Sequence, residues 1–186
     1  MYLERPNAVI RSWRAEDAPA LALHANNRKI WANVRDRFPS PYTTDDAESW
    51  VRHCARAVPA TDFAIEVDGE AGGGIGLVLH DDVERVSAEL GFWLGEAFWG
   101  RGVMTDAVMA FVPWAFQQFG LTRIYANVFA FNVGSARVLE KAGFLREARL
   151  RCAVIKQGEV LDEWLYAQVR DDLINRAQGE GGADSR

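Results

Sequence analysis

The sequence has few of the features that mark membrane, metal-binding or disulfide-stabilised proteins. Its longest uncharged apolar run, residues 107–116, is only ten residues long and falls far short of the roughly 20 needed to cross a bilayer. The two cysteines, Cys54 and Cys152, form no CxxC motif, so we expect small buried thiols, no metal site and a reducing compartment. Glu4 and Arg5 lie where a signal peptide would need an apolar stretch. These absences together predict a cytoplasmic protein without a membrane partner.

Long blocks of one charge are also absent. The 186 residues include 26 acids and 21 bases, for a net charge of −5, and neither sign runs for more than two consecutive residues. This distribution argues against non-specific binding of nucleic acid or of an anionic membrane. A phosphate-containing ligand would therefore have to be held by a local group of atoms rather than by a basic surface.

The hydrophobic pattern predicts a single mixed α/β domain, because a chain of this length allows one domain and no linker divides it. Thr43 and Asp46 have capping-box spacing, and Asn132 is a good N-cap. Pro113 lies inside the longest helix and is expected to kink it. Residues 178–186 lack large apolar side chains and are expected to be disordered. The predicted strands cover 8–13, 61–67, 71–80, 87–94, 123–129, 145–155 and 160–169, and the predicted helices cover 16–25, 28–34, 43–58, 104–119 and 132–142.

Residues 89–105, with the sequence ELGFWLGEAFWGRGVMT, carry the most information about function. A buried strand is followed by a short loop and then by the N-terminus of the long helix. Gly100 and Gly102 let the backbone pass close to a ligand, and the unpaired amides of the first helical turn favour an anion such as pyrophosphate. A Gly-x-Gly before a helix is also common in ordinary turns. The missing Lys-Ser or Lys-Thr pair excludes a P-loop, and the missing GxGxxG motif disfavours a Rossmann site.

Three motifs together give a resemblance to a known family: ELGFWL at 89–94, WGRGVMT at 99–105 and NVGSARVLEKAGF at 132–144. They resemble the GNAT superfamily of N-acetyltransferases, and within it the RimJ and RimL branch of ribosomal-protein N-terminal acetyltransferases. The resemblance covers about residues 6–170 and implies one acetyltransferase domain. It implies the GNAT fold, an α/β (α+β) domain with a mixed, mostly antiparallel sheet of about seven strands flanked by helices. It also implies acetyl-CoA as co-substrate and no metal.

The resemblance assigns cofactor-binding roles to particular residues. The strand end would offer backbone groups to the pantetheine as a further strand would, and the loop and helix start would hold the pyrophosphate through main-chain amides. Asn132 would contact the pantetheine, whereas Ala97 stands where the family usually has Gln or Arg and so lacks a side-chain contact. The strand-end residues are Phe92, Trp93 and Leu94, and the loop and helix residues are Gly100, Arg101, Gly102, Val103, Met104 and Thr105.

The chemistry requires a base, because an amine attacks a thioester only when it is unprotonated, and it benefits from an acid near the leaving thiolate. Glu89 is the candidate base since it begins the buried strand before the cofactor loop; alternatively it is a surface or supporting carboxylate. The resemblance places Ser135 near the thioester sulfur, as candidate proton donor; alternatively it stabilises the helix cap. Asp162 and Glu163 are weaker base candidates, because a hairpin strand near a sheet edge normally shows such charges to solvent.

The acceptor is less well determined than the cofactor. The resemblance favours a protein or peptide N-terminal α-amine, acetylated by direct transfer in a ternary complex, because neither cysteine lies in the cofactor segment. An antibiotic or a polyamine stays open as acceptor. A catalytically silent acyl-CoA-binding module also stays open, since Ala97 permits it. We expect the first helices and the loops 35–42 and 81–85 to select the acceptor, and the sequence leaves the oligomeric state open, including a homodimer.

Overall fold

The computed structural model describes residues 1–170, so the tail predicted over 178–186 lies outside the described residues. Eight strands form one sheet in the order β1-β2-β3-β4-β5-β6-β8-β7. The strands are β1 (Tyr2–Arg5), β2 (Ala8–Arg11), β3 (Asp62–Val67), β4 (Glu70–Leu79), β5 (Ser87–Leu94), β6 (Arg123–Phe129), β7 (Leu145–Lys156) and β8 (Glu159–Val169). The helices are α1 (Ala18–Ala25), α2 (Arg28–Trp31), α3 (Thr44–Arg56), α4 (Val103–Phe119) and α5 (Val133–Lys141).

The expected fold is confirmed, with eight strands instead of about seven. The strand that was not predicted is β1, whose polar residues stand directly before Pro6 and pair with β2 at the edge of the sheet. Only β5 and β6 are parallel within residues 1–170. The predicted capping box is present at α3: Thr43 Oγ1 accepts from the Asp46 amide at 3.2 Å, and Asp46 accepts from the Thr43 amide at 2.9 Å. Helix α4 continues through Pro113 as one element.

Helices cover both faces of the sheet. On one face, α4 and α5 bury a core that includes Ile65, Leu90 and Phe111. On the other face, α1 and α3 form a smaller cluster that includes Trp13 and Leu21. Because side chains alternate between faces along each strand, the same strands supply both layers.

The sheet opens at its centre, and this opening positions the functional site. Strands β5 and β6 pair only between Ser87–Glu89 and Arg123–Tyr125. Strand β5 nevertheless continues to Leu94, and β6 continues to Phe129. The two strands therefore separate after Glu89, and β6 does not pair with the facing edge of β5 beyond that point.

The two cysteines lie in different environments. Cys54 is buried as predicted, and burial raises the pKa of its thiol to about 12. The prediction of a buried thiol is wrong for Cys152, which is exposed where β7 is irregular against β8 and has a φ of 51°. Within residues 1–170, no three His, Cys, Asp or Glu side chains lie close enough to hold a metal ion. No helix in the same range is both long and apolar enough to cross a membrane.

Candidate functional site

A cavity of about 600 Å³ lies where the opened sheet meets the start of α4 and α5. It brings together nearly all the residues that the sequence assigned to the cofactor, namely Phe92, Trp93, Leu94, Gly100, Gly102, Val103, Met104, Thr105 and Asn132. We call it the first cavity. Arg101 is the exception, because its guanidinium binds the Asp68 carboxylate at 2.9 and 3.1 Å and contributes no lining. The Arg101 side chain therefore stabilises the loop from outside the cavity. The hydrogen bonds that it donates lower the pKa of Asp68.

The loop before α4 fits an anionic phosphate group. Gly100 and Gly102 have φ of +75° and +79°, and a Cβ built on either would meet no atom within 4 Å. The amides of the first turn of α4 have no intrahelical partner and lie on the cavity wall. The charged residues of the lining are all basic: Lys29, Arg137 and Lys141. Open space, free amides and positive charge together suit a pyrophosphate.

The sequence reasoning missed all three cations. Arg137 and Lys141 are four residues apart on α5 and so lie on one helix face. That spacing was the available signal. Lys29 could not be found in this way, because it comes from α2, far away in the chain, and forms an ion pair with Glu96 beside the loop.

Asn132 and Ser135 hold each other in a fixed arrangement at the start of α5. The Asn132 side-chain oxygen accepts from the Ser135 amide at 3.0 Å, which caps the helix. The Asn132 amide nitrogen donates to Ser135 Oγ, also at 3.0 Å. Ser135 therefore takes part in the cap and also lines the cavity, so both interpretations of this residue describe real contacts.

A second cavity of about 630 Å³ lies on the other face of the sheet, below α1 and α3. It includes Glu89, which does not line the first cavity. The two cavities share six lining residues: Asn33, Val34, Phe92, Trp93, Asn132 and Ser135. They therefore meet through the opening between β5 and β6, with Ser135 at the junction.

Two carboxylates and one guanidinium stand in the second cavity near this junction. The Glu89 side chain is 15% exposed and forms an ion pair with Arg35. Glu163 lines the same cavity. Burial raises the pKa of Glu163; the charge of Arg35 opposes this rise and the charge of Glu89 adds to it. The Arg35 guanidinium thus lies near both carboxylates that face the junction, Glu89 and Glu163.

The structure corrects the interpretation of Glu163 as a solvent-facing charge. Strand β8 is not an edge strand, because it lies between β6 and β7. Glu163 pairs with Phe129 of β6 and so points to the face that carries the second cavity. Asp162 points the other way and binds Arg149 Nε at 2.6 Å and the Cys152 amide at 2.8 Å. Placing Glu163 required the strand order, which local sequence does not contain.

The segment 27–36 crosses the junction and is fixed at both ends. At its start, Asn27 and Lys29 bind Glu96 next to the cofactor loop. At its end, Lys156 of the β7–β8 hairpin, only 3% exposed, donates to the Val34 carbonyl at 2.8 Å and to Asp36 Oδ1 at 2.7 Å. The Lys156 ammonium also lies 3.8 Å from the ring centroid of Trp31. These contacts hold Arg35, which lies in the same segment, beside Glu89.

Comparison with known proteins identifies a family and a fold. Residues 7–145 match the acetyltransferase (GNAT) domain. The probable N-acetyltransferase YjcK of Bacillus subtilis (strain 168) is 42% identical over 86 residues, 46% of this chain and 48% of that protein. The putative ribosomal N-acetyltransferase YdaF of the same strain is 34% identical over 103 residues, 55% of this chain and 56% of that protein. The chain thus spans about half the length of these two relatives.

A solved structure shares the fold over nearly the whole chain. Mycobacterium smegmatis RimJ, in complex with a CoA disulfide, has a TM-score of 0.78 and is 25% identical. The similarity covers 94% of this chain and 89% of that protein.

Proposed function

The chain belongs to the acetyltransferase (GNAT) domain family, and we propose that it transfers the acetyl group of acetyl-CoA directly to the α-amine of a protein or peptide N-terminus. The observation that carries the proposal is the junction of two cavities at Ser135, on opposite faces of one sheet. Such an arrangement lets cofactor and acceptor bind at the same time and meet in the sheet. A covalent acetyl-cysteine is not needed, because Cys54 and Cys152 line neither cavity.

The first cavity fits acetyl-CoA, which would supply the activated acetyl thioester. The left-handed glycines and the first-turn amides of α4 would hold its pyrophosphate. The edge of β5 at Phe92–Leu94, with which β6 does not pair, would bind the pantetheine as an added strand. The Leu94 carbonyl on this strand also accepts from Trp99 Nε1 at 2.7 Å. In this arrangement the chain would bind the cofactor mainly through its backbone. Binding would therefore not require a Gln or Arg side chain at position 97, where this chain has Ala97.

The second cavity would hold the amine. We assign Glu89 as the general base, which takes the amine proton either directly or through a water molecule. Ser135, fixed by its hydrogen bond from Asn132, would donate a proton to the leaving thiolate from the junction. The ion pair with Arg35 holds the Glu89 carboxylate in the cavity.

A protein acceptor is supported by the description of one similar protein, YdaF, as a putative ribosomal N-acetyltransferase. The test is acetylation of a panel of peptides that differ in their first residue, followed by mass spectrometry and by thiol release. We expect a mass increase of one acetyl group on free N-termini and none on Nα-blocked copies of the same peptides. Acetylation confined to lysine side chains would contradict the α-amine assignment.

Replacing Ser135 with alanine should lower kcat by about tenfold with little change in the affinity for acetyl-CoA. This effect is smaller than the 100-fold or more typical of general acid catalysis, because a thiol has a pKa of about 8.5 and its thiolate is already a fair leaving group. Stopped thiol-release assays give kcat, and calorimetry gives the affinity. Ser49→Ala, on the exposed face of α3, is the control and should match the unaltered protein. Full activity of Ser135→Ala would remove its role as acid.

A further inference from the structure

The second cavity contains a third carboxylate, Asp62, at some distance from the junction. Asp62 begins β3, and its side chain lies over Gly76 of the neighbouring strand β4. A Cβ built on Gly76 would be 2.3 Å from Asp62 Oδ1, so any larger residue there would push the carboxylate away. The glycine therefore makes room for an acid that lines the cavity.

The Asp62 carboxylate has few partners of its own. Thr61 Oγ1 donates to Asp62 Oδ2 at 2.8 Å. No cation of residues 1–170 lies within ion-pair distance of it, although Arg37 and His53 line the same cavity and act on it from further away. Burial raises the pKa of Asp62, as expected for a carboxylate without a close positive charge. The Asp62 carboxylate thus retains capacity to accept hydrogen bonds from a ligand.

The floor of the cavity from Asp62 to Gly91 carries no intervening side chain. Asp62 pairs with Gly76, and Gly76 pairs with Gly91 of β5, so these three residues form one row across the sheet. A Cβ on Gly91 would meet nothing within 4 Å. Glu89 is two residues from Gly91 and points to the same face. Asp62 and Glu89 are two strands apart across the sheet and two residues apart along it. Their Cα atoms are therefore about 12 Å apart.

The walls and charges of the cavity suit a cation on an apolar chain. Aromatic side chains surround the floor: Trp13, Phe38, Tyr42, Trp50 and Trp93. Three carboxylates, Asp62, Glu89 and Glu163, face two guanidinium groups, those of Arg35 and Arg37. Arg35 already forms an ion pair with Glu89 at the junction. Asp62 is therefore the carboxylate available to a cation at the end of the cavity away from the junction.

We propose that Asp62 binds a second cationic group of the acceptor, carried about 10 Å from the amine that is acetylated. The proposal rests on the proposed function and names the acceptor class of that same site. The shared chemistry is a primary amine joined by an apolar spacer to an ammonium or guanidinium group. Both a peptide with a basic second residue and a long-chain diamine have this chemistry.

The test compares matched probes that differ only in the second charge. One pair is a peptide beginning Ala-Lys and its Ala-norleucine counterpart; the other is 1,8-diaminooctane and octylamine. We expect the unaltered protein to favour the charged member of at least one pair by about tenfold or more in kcat/KM. A preference within the peptide pair alone identifies a peptide acceptor, and one within the amine pair alone identifies a diamine.

Asp62→Asn should reduce that preference to about twofold or less, because the amide keeps the shape of the side chain and loses its charge. Asp45→Asn, an exposed position on α3 outside the cavity, is the charge-matched control and should retain the preference. Gly76→Ala offers a second route, since its methyl group displaces the carboxylate and should give the same loss.

The outcomes separate this proposal from the proposed function. Equal rates on the members of both pairs, or a preference that survives in Asp62→Asn, would overturn the role of Asp62 while leaving the acetyltransferase assignment in place. If the protein acetylated none of the four probes and no peptide of the N-terminal panel, the proposed function would be contradicted. The role of Asp62 would then be contradicted as well.

Discussion

Replacing Gly102 with tryptophan is expected to abolish measurable acetyl-CoA binding while the protein stays folded. The residue has a φ of +79°, and the space around its Cα is the space of the first cavity. A bulky side chain at this position would fill the part of the cavity where the first-turn amides of α4 are free to bind pyrophosphate. We expect the affinity to fall at least 100-fold, which corresponds to about 2.7 kcal/mol. Calorimetric titration with acetyl-CoA measures it.

The matched control is Gly120→Trp at the other end of the same helix. Gly120 also has a left-handed backbone, with φ of +63°, and an open environment, but it lines neither cavity. Both variants therefore carry the same strain, about 1–2 kcal/mol for a side chain in this conformation. Thermal unfolding should shift by similar amounts in the two. Unaltered acetyl-CoA affinity in Gly102→Trp would show that the loop does not hold the cofactor.

Local signals predicted those parts of the site that are built from consecutive residues. The left-handed glycines before α4 and the Asn132 cap of α5 are short-range features, because each satisfies helix-terminal groups within a few residues. The capping box at Thr43 was found for the same reason. These residues could be located from spacing alone, and the resemblance added the ligand that they would bind.

The parts that were missed depend on contacts between distant segments. Lys156 reaches Asp36 across 120 positions, and no local pattern distinguishes it from an exposed lysine in a hairpin. Glu163 faces the junction because β8 is inserted between β6 and β7. The opening after Glu89 arises where two strands stop pairing, which depends on the whole sheet. The acceptor side therefore could not be assembled from sequence, since several chain segments contribute to it.

Replacing Glu89 with glutamine is expected to lower kcat about 100-fold or more, the range typical of general base catalysis. The amide has nearly the same shape but does not take up a proton from the amine. It also leaves Arg35 without its carboxylate partner. Acetyl-CoA affinity should stay unchanged, because Glu89 does not line the first cavity. The remaining activity should rise with pH, since the fraction of unprotonated amine then limits the rate without a base.

Glu163→Gln distinguishes the two carboxylates that face the junction. Glu89 lies on β5, the strand whose edge would hold the pantetheine, whereas Glu163 lies across the opening on β8. Burial raises the pKa of Glu163, and its carboxylate lines the cavity that would hold the amine. We therefore expect Glu163→Gln to affect the KM for the acceptor more than kcat. A larger fall of kcat in Glu163→Gln than in Glu89→Gln would exchange their roles and make Glu163 the base.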